Sequence, residues 1–76
     1  MPKIQTGRYK HFKGNYYEVI GVGKNNKTLE DVVVYKALYQ TEEFPMGQIW
    51  TRPLTEFLQV VEYEKQEVPR FEPVKY

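Results

Sequence analysis

Apolar and polar residues alternate along most of this chain, in short runs separated by glycine, proline and asparagine. Arg8-Tyr9-Lys10-His11-Phe12 has the period of two that suits a half-buried strand, and Lys13-Gly14-Asn15 supplies turn residues that fold it back. The returning arm is Tyr16-Tyr17-Glu18-Val19-Ile20-Gly21-Val22, rich in aromatic and β-branched residues, with Gly21 and Gly23 marking a bulge or bend. The polar run Lys24 to Thr28 reads as an exposed loop, its two asparagines suited to left-handed backbone angles. Val32 to Tyr39 is the strongest strand signal. Alternation puts Val33, Tyr35, Ala37 and Tyr39 on one face and Val32, Val34, Lys36 and Leu38 on the wetter other face.

Gln40 to Gly47 carries Glu42, Glu43, Pro45 and Gly47 and fits a long surface loop. Gln48 to Arg52 resumes the strand pattern until Pro53, which cannot donate to a ladder. A helical turn is expected through Pro53 to Phe57, with Thr55 as a cap, followed by a last strand at Val60 to Tyr63. The organisation expected is thus a flexible leader over residues 1–6, a single β-barrel domain over 7–63, and a partly ordered C-terminal extension over 64–76. About five short strands with one helical turn before the last imply a mainly β fold. A small SH3-like antiparallel barrel is the first choice, because closure hides the edges a small sheet leaves open.

Composition narrows the class. With 76 residues there is room for one hydrophobic core. The chain is 41% hydrophobic and 28% charged, near the globular average. The longest apolar stretch, Val32 to Tyr35, is far below the roughly 20 residues that span a bilayer, so no membrane role is expected and the location expected is cytoplasmic. Cysteine is absent, which leaves no disulfide to brace the fold. Seven tyrosines, four phenylalanines and one tryptophan must then supply the core, each able to remove roughly 150–250 Å² from water. The net charge of +1 is split: residues 1–38 carry seven Lys and Arg against three acids, and residues 39–76 carry four against seven. An overall basic charge, the footprint of a nucleic-acid binder, is missing, so only a local patch would serve that role.

Several segments also resemble a known family. Gly7-Arg8-Tyr9-Lys10-His11-Phe12-Lys13-Gly14-Asn15-Tyr16-Tyr17-Glu18-Val19, then Val34-Tyr35-Lys36-Ala37-Leu38-Tyr39, Trp50-Thr51-Arg52-Pro53-Leu54 and Val68-Pro69-Arg70-Phe71 are similar to the bacterial family called domain of unknown function sixteen-fifty-three. The resemblance runs from Gly7 to about Phe71. It implies a compact SH3-like β-barrel with no established activity. This chain departs from the family pattern at Asn26 and Lys27, where a His and a Glu are usual, and at Glu56, where Met is usual.

The residues argue against chemistry. Nucleophilic catalysis needs an activated Ser, Cys, Thr or Lys beside a base, and the chain has no Ser, no Cys and only His11 as an imidazole. No enzyme activity, no cofactor and no metal site is expected, since one histidine among scattered carboxylates lacks zinc-ligand spacing. The leading expectation is a binding or interaction module for a peptide or protein. Its ligand-binding residues are Tyr17, Tyr35, Trp50 and Arg52, with Tyr39 a further candidate for the groove, where Arg52 can stack on a ring or clamp a carboxylate. The alternative is weak single-stranded nucleic-acid binding through Arg8, Lys10, Phe12 and Lys13, a basic strand with a stacking ring. A homo-oligomeric structural role is the third reading, with the chain a monomer or a homodimer.

Overall fold

A computed structural model describes residues 4–74. Seven strands and one short helix follow in the order β1 (Gly7–His11), β2 (Tyr16–Lys24), β3 (Asp31–Ala37), β4 (Ile49–Pro53), α1 (Leu54–Phe57), β5 (Val60–Tyr63), β6 (Gln66–Pro69) and β7 (Phe71–Pro73). All pairings are antiparallel. A five-stranded sheet runs β4-β3-β2-β1-β7, and β5 and β6 form a separate hairpin. The protein is therefore mainly β, as its alternating pattern requires.

The inner face of the sheet carries the alternate residues that the pattern assigned to it. Tyr9, Val19, Val33, Tyr35 and Ala37 are buried, whereas Arg8, Lys10 and Glu18 on the opposite face are exposed. Between Val19 and Gly21 the β2–β3 register shifts, leaving Ile20 as the extra residue of a bulge. That bulge bends the longest strand and steepens its twist, which curls the sheet around its aromatic face. β3 starts one residue earlier, at Asp31, and ends two residues earlier, at Ala37, than its sequence run suggests.

α1 packs against the β3–β4 end of the inner face, and β7, the opposite edge of the sheet, turns Phe71 into the same core. Leu54 and Phe57, three residues apart on one turn, are both buried. Phe57 stacks on Phe71 with ring centroids 4.2 Å apart and planes 4° from parallel. Phe71 also meets His11, Tyr17 and Tyr35 at 5.0, 5.6 and 5.6 Å, mostly edge to face. Edge-to-face and parallel ring pairs each add roughly 0.5–1.5 kcal/mol beyond the area they bury, so this cluster holds the fold together.

Four local expectations differ from the structure. The extension beyond Tyr63 is not a tail: it contains β6 and β7, and β7 pairs with β1 in the register His11↔Phe71 while Phe71 enters the core. Its last two residues, 75 and 76, lie outside the described residues, as do residues 1–3 of the expected leader. The rest of that leader is anchored, with Ile4 packed on the core and the Tyr9 hydroxyl donating to the Gln5 carbonyl at 3.0 Å. Thr55 does not cap α1; Pro53 holds that position without a side-chain bond, as suits a residue whose missing N–H costs nothing there. In the loop after β2, Asn25 makes an Asx turn by accepting from the amides of Lys27 and Thr28, and the left-handed residue is Leu29 at φ 64°.

Removing the Phe71 ring leaves a void beneath both α1 and the sheet. Phe71→Ala is expected to cost about 3–5 kcal/mol, comparable with the whole stability of a domain this small. A chain truncated after Tyr63 is expected not to fold. Urea unfolding followed by tryptophan fluorescence checks both, and a cooperative transition from the truncated chain would show that β7 is dispensable.

Candidate functional site

Strand alternation and register bring the predicted groove residues together. In the β3–β4 ladder Tyr35 faces Trp50 and Val33 faces Arg52, and directly opposed residues project from one face of a sheet. Tyr17 pairs with Ala37 on the neighbouring strand and so joins the same face. Tyr17, Tyr35, Tyr39, Trp50 and Arg52 line one open recess of about 210 Å³. The sequence-derived set of Tyr17, Tyr35, Trp50 and Arg52 is thus contiguous in space, and Tyr39 completes it. Its membership was signalled by the Val33-Tyr35-Ala37-Tyr39 alternation, which continues past the end of β3.

The roles within the recess differ. Tyr35, 5% exposed, is the floor and not part of a rim. Trp50 is half-buried and meets Phe44 of the preceding loop edge to face at 5.0 Å. Tyr17 is edge-on to both Tyr35 and Tyr39, and the Tyr17 and Tyr39 hydroxyls share a hydrogen bond of 2.7 Å. Burial, followed by that hydrogen bond, pushes the Tyr17 phenol above its ordinary pKa of 10.0, and the ring stays neutral at physiological pH.

Arg52 is fixed from three sides. Its Nε donates to the Tyr35 hydroxyl at 3.3 Å, its Nη1 pairs with Glu56 at 3.4 Å, and its guanidinium carbon sits 5.8 Å from the Phe71 ring centroid. The guanidinium has five N–H donors, and these contacts use two of them. Glu56 is therefore a positioning partner at the rim.

His11 lies beside this site, not within it. Its ring contacts Phe12, Phe71 and Tyr17, and Nδ1 accepts the Lys13 amide at 3.1 Å, which places the proton of the neutral ring on Nε2. Burial, then the charges of Arg52, Arg70 and Lys13, lower its pKa below the ordinary 6.5. Burial first and the positive neighbourhood second both favour the neutral imidazole.

The basic-aromatic strand is dispersed. Arg8 and Lys10 share the outer face, but each has an acid in register beside it, Glu18 for Arg8 and Glu72 for Lys10. Phe12 lies past the end of β1 with its ring edge-on to Tyr63 at 5.3 Å, and the Lys13 ammonium sits 5.9 Å from that ring. Lys10 and Phe12 share a second recess of about 220 Å³ with Tyr63, Val68, Pro69 and Glu72, while Arg8 borders a different one. The interleaved carboxylates weaken the potential that a phosphate backbone needs. No three His, Asp or Glu side chains cluster in metal-binding geometry among the described residues, and no helix among them is long and apolar enough to cross a membrane.

A small antiparallel β domain with an aromatic and arginine-lined recess is the class that fold and site define. Residues 7–73 match the model of the family described as protein of unknown function (DUF1653), and the chain belongs to that family. It is also similar to the crystal structure of a protein belonging to DUF1653 from Bordetella bronchiseptica, with 34% sequence identity, a TM-score of 0.84, and coverage of 93% of this chain and 87% of that one. No curated protein matches.

The lowered His11 pKa has a sign that can be checked. The unfolded chain takes up a proton near pH 6.5 and the folded chain only at lower pH. Folded protein therefore loses stability as pH falls through about 6.5 toward the folded value, and no further below it. His11→Gln is expected to flatten the decline in urea midpoint between pH 7.5 and 5.5; an unchanged slope would remove the histidine from that linkage.

Proposed function

We propose that this chain is a non-enzymatic binding module on an SH3-like barrel, working in the cytoplasm, whose aromatic recess receives a peptide or a segment of another protein. The observation that carries the reading is the convergence of Tyr17, Tyr35, Tyr39, Trp50 and Arg52 from three neighbouring strands and their flanks on one open recess. Aromatic rings and arginine are the residue types that dominate recognition energies, because they offer large stiff surfaces and directed donors. The volume supports a peptide over a free metabolite. About 210 Å³ falls below the roughly 300–1,000 Å³ of small-molecule pockets, and is suited to one side chain projecting from a longer chain that binds elsewhere on the surface. The reading as non-enzymatic rests on the residue inventory, which has no Ser, no Cys and one His.

An array of synthetic pentapeptides probed with labelled protein tests this. The wild type is expected to select a subset of peptides, and Trp50→Ala and Tyr39→Ala to bind that subset at least roughly tenfold more weakly while still unfolding cooperatively. Undiminished binding by both folded variants, or an array with no selected peptides, would exclude the recess as the site.

A further inference from the structure

The recess opens beside a free sheet edge. β4 lies at the end of the sheet order, and among the described residues no strand pairs with its outer side. The Ala37 amide donates to the Gln48 carbonyl at 3.0 Å, which sets the phase of the β3–β4 ladder. Antiparallel pairs alternate between bonded and non-bonded positions, so Trp50 and Arg52 turn their backbone groups toward β3. Ile49, Thr51 and Pro53 turn theirs outward. Two observations agree with that phase: the Gln48 side-chain amide covers the Ile49 carbonyl at 3.2 Å, and the residue without an N–H, Pro53, occupies an outward position. The Thr51 amide and carbonyl are left as a donor–acceptor pair on the open edge, beside an exposed Thr51 side chain.

We propose that this edge and the recess form one groove, in which an extended acidic peptide adds to β4 as a sixth strand. The peptide residues opposite Trp50 and Arg52 then project into the recess, because opposed residues share a face, while the residue opposite Thr51 exchanges backbone hydrogen bonds with it. Charge complementarity selects the occupant as an acid. Arg52 keeps donors beyond its Tyr35 and Glu56 contacts, and its charge, with those of Arg70 and Lys13, is felt at neighbouring His11. Glu56 is not a serious competitor, since an ion pair of 3.4 Å with a half-exposed carboxylate is weak in water and yields to a better-placed carboxylate. The proposal rests on the peptide-binding reading above and adds the binding mode and the ligand charge.

The probe is the capped pentapeptide Thr-Val-Glu-Val-Thr, titrated into the full chain while amide and indole resonances are followed by NMR. Its Glu-to-Gln analogue and two backbone N-methylated forms are measured alongside. In strand addition the N–H of the inward Glu points away from β4, whereas those of the two Val residues point toward it. Methylation at Glu is therefore expected to be tolerated, and methylation at both Val residues to abolish binding. The Glu-to-Gln change is expected to weaken binding about tenfold, the order of one lost charge-assisted contact, and hydrogen exchange of the Thr51 amide to slow in the complex. Equal binding by both methylated forms, with Trp50 still shifting, would overturn strand addition and leave the recess as a pocket. Equal binding of Glu and Gln forms would overturn the charge assignment. No shift of the Trp50 indole with this peptide would overturn the proposal, and the array separately decides whether the recess binds any peptide.

Discussion

The parallel stack of Phe57 on Phe71 joins the two parts of the chain that the sheet alone does not hold together. Phe57 arrives on a single helical turn after β4, at one end of the sheet, and Phe71 arrives on β7, at the other. Neither element is long enough to be stable in isolation. A four-residue helix is far below the length at which helices persist in water, and a three-residue strand has few ladder bonds. Each is ordered by burying its phenylalanine against the other and against Tyr9, Tyr17, Tyr35 and His11. The curled sheet, the helix and the returning strand are mutually dependent for this reason.

The same cluster prepares the candidate site. Tyr35 is both a core ring and the floor of the recess, and its hydroxyl holds Arg52 at Nε. Phe71 lies under the guanidinium while stacking on Phe57. Arg52 is thus presented by the core with its orientation already restricted, which lowers the entropy lost when a ligand engages it. The Tyr17–Tyr39 hydrogen bond does the same for the opposite wall. Both walls of the recess are therefore held by side-chain contacts within the protein.

Much of the sheet was legible in the sequence because a period of two has only one structural meaning when one face is apolar. The four residues Tyr17, Tyr35, Trp50 and Arg52 followed from it, as they are strand residues whose faces alternation assigns. What escaped were the parts whose signals are weak or contrary. The β5–β6 hairpin turns at Glu64 and Lys65, both with positive φ of 52° and 66°, where Asn and Gly are the usual residues. Such angles cost a non-glycine residue roughly 1 kcal/mol or more each, and the paired strands must offset that. β7 escaped because Phe71-Glu72-Pro73 is too short and proline-rich to read as a strand; it is one only because β1 offers it an edge.

Alternation, turn chemistry and the wealth of rings determined by themselves that this chain folds as a small antiparallel β domain with an aromatic interior, since those are properties of neighbouring residues. Tertiary structure alone decided that Phe71 is a core residue, that Tyr35 lies beneath the recess and that β4 is left with an open edge. Those facts depend on which distant segments meet. Contacts across 14 or more residues of chain, such as Phe57 on Phe71, are set by the competition of all strands for partners and not by any local pattern.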